Sequence, residues 1–153
     1  MAQEFIVSHC HHATTDNHNK DITFAITTKA AQGNEGKGVS ILVGTISLKN
    51  VVAKHLAELG YWIGQPYWGH GHATEAARAV LRHAFQELAL ERVWAQCLTR
   101  NPASGRVLQK IGMCHEGCQR SHVLKWGVLE DIELYGILKN EWRHDGQQVN
   151  NEA

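Results

Sequence analysis

The stretch from Glu58 to Thr99 constrains this chain most. It reads "ELGYWIG", a turn bearing two glycines, an amphipathic run, and then "ERVWAQCLT". The first and last segments have the apolar, β-branched and aromatic character of strands. Between them, Ala73, Ala76, Ala77, Val80, Leu81, Ala84, Phe85 and Leu88 recur at spacings of three and four, the apolar stripe of a helix. A strand, a crossover helix and a second strand in one sheet imply a parallel pair.

Flanking segments extend this unit in both directions. "DITFAITT", Asp21 to Thr28, and "VSILVGTISLKN", Val39 to Asn50, read as two strands joined by the glycine-bearing loop "KAAQGNEGKG". After Thr99, Asn101 suits a helix N-cap and Pro102 suits the first turn; the helix runs to about Ile111, with Gly112 as a left-handed cap. Two further strands, "MCHEGCQRSHVLKWG" and "VLEDIELYGILKNEW", turn near Trp126–Gly127. The expected order is β-β-β-α-β-α-β-β, an α/β chain with a mixed sheet. The expected organisation is a polar, poorly ordered segment over residues 1–20, a domain over 21–143 and a polar tail over 144–153.

Composition narrows the function. Fifteen basic side chains balance fifteen acidic ones, so no global field is available to hold nucleic acid. The longest apolar run, near Val39 to Leu48, is broken by Ser40, Gly44, Thr45 and Ser47 and is too short for a membrane span. The first residues lack a basic start followed by an apolar stretch, so the expected compartment is the cytoplasm. Four cysteines, Cys10, Cys97, Cys114 and Cys118, then read as reduced thiols. Cys114 and Cys118 lie near His115 and His122, but C-x3-C-x3-H is not a common zinc spacing. No metal is expected, and the histidines near the N-terminus, His9, His11, His12 and His18, read as solvated.

The chemistry-bearing stretch is "WGHGHATEA", Trp68 to Ala76. Gly69 and Gly71 sit between a strand and a helix N-terminus, where backbone N–H groups lack intrahelical partners and the helix dipole favours negative charge. Glycine lets a ligand approach that backbone closely, so the turn suits a phosphate. An ordinary loop is the plainer reading of a lone G-x-G. For the side chains of His70 and His72 the plain reading is solvent exposure.

The motifs "GYWIG", "WGHGHATEA", "NPASGRVLQKIGM" and "EDIELYGILKNEW" resemble, in order and spacing, the GCN5-related N-acetyltransferase (GNAT) superfamily. The resemblance runs from about Phe24 to Trp142 and is greatest to its ribosomal-protein (RimJ/RimL-like) branch. It implies a GNAT-like acyl-coenzyme A N-acyltransferase fold with acetyl-coenzyme A as co-substrate. Backbone groups of Trp68, Gly69, His70, Gly71, His72, Ala73 and Thr74 would cradle the pyrophosphate. Trp68 stands where the family usually has a basic or amide residue. Asn101 would contact the pantetheine arm, a role compatible with capping, and Arg106 and Lys110 are candidates for the nucleotide phosphates. The family usually has a strand and two helices before "DITFAITT". Their apparent absence implies an N-terminally shortened form, with "DITFAITT" near a sheet edge and a homodimer covering it.

The implied reaction is direct attack of an amine on the thioester. The oxyanion needs a fixed donor, such as a backbone N–H near Trp62 or Ile63. The leaving thiolate needs a hydrogen bond, for which Ser104 is the candidate. A protein α-amine is neutral in roughly a tenth of molecules at pH 7, a lysine in only about one in 2,500, so an α-amine asks for only a modest base. Glu58 and His122 are candidates, against the plainer readings of a solvated carboxylate and a surface histidine. Tyr135 and Asp131 lie where the family often has polar residues. The acceptor is a peptide N-terminus or a small-molecule amine. The other readings are a non-catalytic coenzyme A-binding module and, more distantly, a histidine-rich metal-binding protein.

Overall fold

The computed structural model describes residues 6–10, 20–29 and 40–144. Of the loop expected over 29–38 only Lys29 is described, as the last residue of a strand, and residues 30–39 and the tail beyond 144 lie outside the described residues. Among the described residues, seven strands form one sheet: β1 (Ile6–Cys10), β2 (Lys20–Lys29), β3 (Ser40–Val52), β4 (Leu56–Ile63), β5 (Arg92–Leu98), β6 (Cys114–Lys125) and β7 (Val128–Leu138). Their spatial order is β1-β2-β3-β4-β5-β7-β6. Every pairing is antiparallel except β4 with β5, the parallel pair that the central crossover requires.

Helix α1 (His72–Arg82) makes that crossover and is prolonged by one wider π-type turn, His83–Glu87. Helix α2 (Pro102–Lys110) follows β5. Both pack on the same side of the sheet, α1 on β3 and β4, α2 on β5 and β6, and they touch each other. The core lies between them and the sheet. Ala76, Ala77, Val80, Leu81, Ala84 and Phe85 meet Ile46, Leu48, Leu59, Val93 and Ala95 there, all nearly inaccessible to solvent. Each large side chain buried this way contributes about 1.5–3 kcal/mol.

Local chemistry sets the turns. Trp126 and Gly127 both have positive φ, 51° and 76°, and join Lys125 to its partner Val128, the backbone of a two-residue hairpin whose twist matches the strands. Gly112 has φ of 95° just beyond α2, as its place after Ile111 suggests.

The N-terminal expectation needs correction. The segment over residues 1–20 contains strand β1, which pairs along β2 from Ile6↔Thr27 to Cys10↔Thr23. "DITFAITT" is therefore an interior strand, and β1 is the edge. The strand that seemed absent before "DITFAITT" has a counterpart in position, and the uncovered edge that motivated a homodimer is closed within the chain. The short polar surroundings of "FIVSHC" concealed it, because five residues gain strand character only when a neighbour satisfies their backbone groups. No α-helix precedes α1 among the described residues.

Candidate active site

The site begins where the parallel pair ends. β4 and β5 are in register only from Leu56↔Arg92 to Leu59↔Ala95, although β4 continues to Ile63 and β5 to Leu98. Beyond Leu59 the two strands separate and leave a gap in the middle of the sheet. The N-terminal ends of α1 and α2 stand over this region, since each helix follows closely on the strand that borders it.

On the β4 side, backbone polarity can be assigned. Gly64 N–H donates to the Val43 carbonyl (2.8 Å), and the Trp62 carbonyl lies against Gly44, where a Cβ would not fit. Backbone groups alternate along a strand, so those of Trp62 face β3 and those of Ile63 face the gap. Trp68 Nε1–H donates to the Ile63 carbonyl at 2.8 Å, leaving the Ile63 N–H as the gap-facing donor. Of the two donors expected from sequence, the geometry therefore favours Ile63. The Trp62 side chain is on the sheet face away from the helices and is largely exposed.

A short 3-10 turn, Gln65–Tyr67, carries the chain to the glycines. Gly69 and Gly71 have φ of 78° and 77°, a conformation costly for other residues. A Cβ built on either would meet no atom within 4 Å, so the space before both is open. Gly71 is the N-cap of α1, and no side chain caps that end. The positive φ at both positions thus answers no packing constraint, and the helix end beside them keeps backbone N–H groups that no side chain caps. That cradle fits a pyrophosphate.

The neighbouring histidines differ from expectation. His70 is exposed, but His72 is buried at 6% exposure, and the two rings stack with centroids 5.7 Å apart. Burial, reinforced by His70, lowers the His72 pKa below its ordinary 6.5. His72 is the first residue of α1, so its side chain folds against the protein while its backbone stays in the turn. Ala73 and Thr74 complete that turn and are half-buried.

The second helix end is closed from within. Ser104 N–H donates to Asn101 Oδ1 at 3.4 Å, so Asn101 caps α2. Ser104 Oγ lies 2.8 Å from the hydroxyl of Tyr61, which also reaches the Ser104 carbonyl at 3.3 Å. This contact bridges β4 to α2 just past the point where β4 leaves β5. Burial raises the Tyr61 pKa, opposed by its hydrogen bond to Ser104 and reinforced by Cys97, so the phenol stays protonated. Sequence reading passed over Tyr61. The signal was strand alternation: Ala57, Leu59, Tyr61 and Ile63 share one face, and that face carries α1 and α2.

Other candidates scatter. Glu58 points to the opposite face of β4, where Gln96 Nε2–H donates to its Oε1 at 3.3 Å. His122 is exposed and lines a cavity of about 410 Å³ with Leu56, Trp94, Gln96, Glu116 and Gln119. Tyr135 is buried beneath α2: a Cβ on Gly105 would come 3.0 Å from its hydroxyl. Asp131 accepts from Ser121 N–H (2.7 Å), which holds it in the β6–β7 pairing. Arg106 is exposed on α2, and Lys110, at the far end of that helix, lines another cavity with Arg78 and Arg82. Cys97 is buried, and burial followed by Glu133 pushes its thiol pKa up, the opposite of an activated nucleophile.

Comparison with known proteins agrees with this architecture. Residues 1–114 match the acetyltransferase (GNAT) domain family. The uncharacterized N-acetyltransferase YnaD of Bacillus subtilis is 37% identical over 66% of this chain and 59% of its own length. The ribosomal-protein-serine acetyltransferase of Escherichia coli is 30% identical over 61% of this chain and 53% of its own. A crystal structure of a GNAT-family acetyltransferase from Bacillus anthracis superposes with a TM-score of 0.67 at 33% identity, covering 78% of this chain and 67% of that one. The chain spans little more than half the length of the curated relatives it matches. With a parallel pair that splays beside a glycine turn, and with a family match over most of its length, this chain belongs to the GNAT acetyltransferase family.

Proposed function

We propose that the protein transfers an acetyl group from acetyl-coenzyme A to a primary amine, by direct attack and without an acyl-enzyme. The observation that carries this reading is the uncapped, glycine-opened N-terminus of α1 beside the gap between β4 and β5. Bound acetyl-coenzyme A supplies the thioester. Backbone N–H groups from Trp68 to Thr74 hold its pyrophosphate, Asn101 meets the pantetheine arm, and Arg106 reaches toward the nucleotide end. The Ile63 N–H stabilises the oxyanion. Ser104 donates to the departing thiolate.

Glu58 is the base we favour, because it reaches the same stretch of β4 from the face opposite the helices, so amine and cofactor approach from different sides. His122 is the second candidate for that role. The ribosomal-protein relative supports a peptide α-amine as acceptor, the class that asks least of the base. A small-molecule amine is the other acceptor class.

Release of free thiol from acetyl-coenzyme A, followed with a panel of peptides bearing free N-termini and a panel of polyamines, tests the proposal. Amine-dependent release is expected. Tight coenzyme A binding without release for any amine would instead support a non-catalytic module, a reading kept in view because the chain covers only part of its relatives.

A further inference from the structure

We infer that Tyr61 is a positioning residue, whose hydroxyl holds the Ser104 side chain so that the serine proton is presented to the thiolate of coenzyme A. This rests on the acetyltransferase reading above and adds to it a role for Tyr61, a residue within the motif "GYWIG" to which the resemblance attached none.

Tyr61 and Ser104 each have one hydroxyl proton, and three acceptors lie within reach: the two hydroxyl oxygens, 2.8 Å apart, and the Ser104 carbonyl, 3.3 Å from the phenol. In one arrangement Ser104 donates to Tyr61, and Tyr61 donates to the carbonyl. Both protons are then used within the protein and none faces the gap. In the other, Tyr61 donates to Ser104 Oγ, and the serine proton is turned outward. The second arrangement wastes a proton unless an acceptor stands in the gap. A thiolate is such an acceptor, and a hydrogen bond to a charged acceptor is the stronger kind. The thiolate therefore selects the arrangement that serves it.

Two further observations support the assignment. The phenol is half-buried and its pKa is raised, so it remains a donor and does not ionise beside the product. Ser104 sits in the first turn of α2, where a serine hydroxyl has a competing option: it can bond back to the carbonyl three or four residues earlier in the chain. Tyr61 is what draws it away. The remaining groups around the pair, Cys97 and Tyr135 under α2, are buried, and both have raised pKa values, so neither competes as an ionised partner. No covalent step is involved; only hydrogen bonds change.

The test uses the whole chain and three variants: Tyr61→Phe, which keeps the ring, Ser104→Ala, and the double. Circular dichroism melts check that each remains folded. Calorimetry with coenzyme A comes first. If the wild type does not bind it, the acetyltransferase reading fails and this inference fails with it. Given binding, ultraviolet thiolate absorbance of bound coenzyme A is titrated with pH. Tyr61→Phe is expected to reduce the thiolate fraction at a given pH by roughly threefold to tenfold, the size of the one neutral hydrogen bond that holds the serine. Ser104→Ala should do at least as much, and the double no more than Ser104→Ala. In turnover, Tyr61→Phe should lower kcat by a similar factor with KM for acetyl-coenzyme A changed less than about twofold. A titration curve unaltered by Tyr61→Phe, or effects of the two single changes that multiply in the double, would overturn the inference while leaving the acetyltransferase reading in place.

Discussion

The two helix N-termini over the gap begin from the same physics and are finished differently. Both present backbone N–H groups without intrahelical partners. At α2 the chain satisfies its own end: Asn101 accepts from Ser104 N–H, and Pro102 removes one donor. At α1 it does not: Gly71 offers no side chain, and nothing lies within 4 Å of where one would stand. A capped end stabilises the fold in the absence of any ligand. An end left open costs the fold a cap, and the arrangement is consistent with a ligand completing it. The difference separates a residue that shapes the site from a turn that holds what binds there.

The largest expected effect comes from closing the open end. Gly71→Asp places a carboxylate where the pyrophosphate would sit and a Cβ on a backbone at φ of 77°. Acetyl-coenzyme A affinity by calorimetry should fall about tenfold or more, while the fold survives, since the conformational cost is only about 1–2 kcal/mol. Unchanged affinity would erase the distinction between the two ends. Next is Asn101→Ala. Losing the cap should cost about 1 kcal/mol, a drop of roughly 2–4 °C in Tm. Its effect on affinity should be well below that of Gly71→Asp. A larger loss of affinity than of stability would mean that Asn101 acts chiefly on the ligand.

A smaller effect concerns pH at the open end. The His72 pKa is lowered by burial and then by His70, so the native state favours the neutral ring. The unfolded chain binds the proton more readily. Stability from this group is therefore full above the ordinary value of 6.5 and declines as pH falls below it. Thermal melts from about pH 7 to about pH 5 should show that decline, and His72→Gln should flatten it. An identical slope in the variant would assign the pH dependence to other groups. The smallest effect expected is from chelation. Removal of divalent metal should leave Tm unaltered, and a loss restored by zinc would return Cys114, Cys118 and their neighbouring histidines to consideration.

Much of this was legible in the sequence because it depends on local order. Residue spacing alone marks the amphipathic stripe of α1. Asn101 followed by Pro102 marks the start of α2, and glycines between a strand and a helix mark an anion turn. The parallel pair followed from connectivity, since a helix between two strands of one sheet reverses the chain once and then returns it.

What the sequence could not decide concerns partners distant along the chain. β1 exists because β2 satisfies its backbone groups, and nothing in "FIVSHC" announces that partner. His72 is buried because α1 lies against the sheet, although its neighbour His70 stays in solvent. The choice between Trp62 and Ile63 as the gap-facing donor turned on which strand Trp62 meets, 18 residues away at Gly44. Tyr61 gained a role only when Ser104, 43 residues later, was brought to 2.8 Å. Periodicity assigns a residue to a face, but only the packed sheet decides what stands across from it, because hydrogen bonds and burial are set by distance in space and not along the chain.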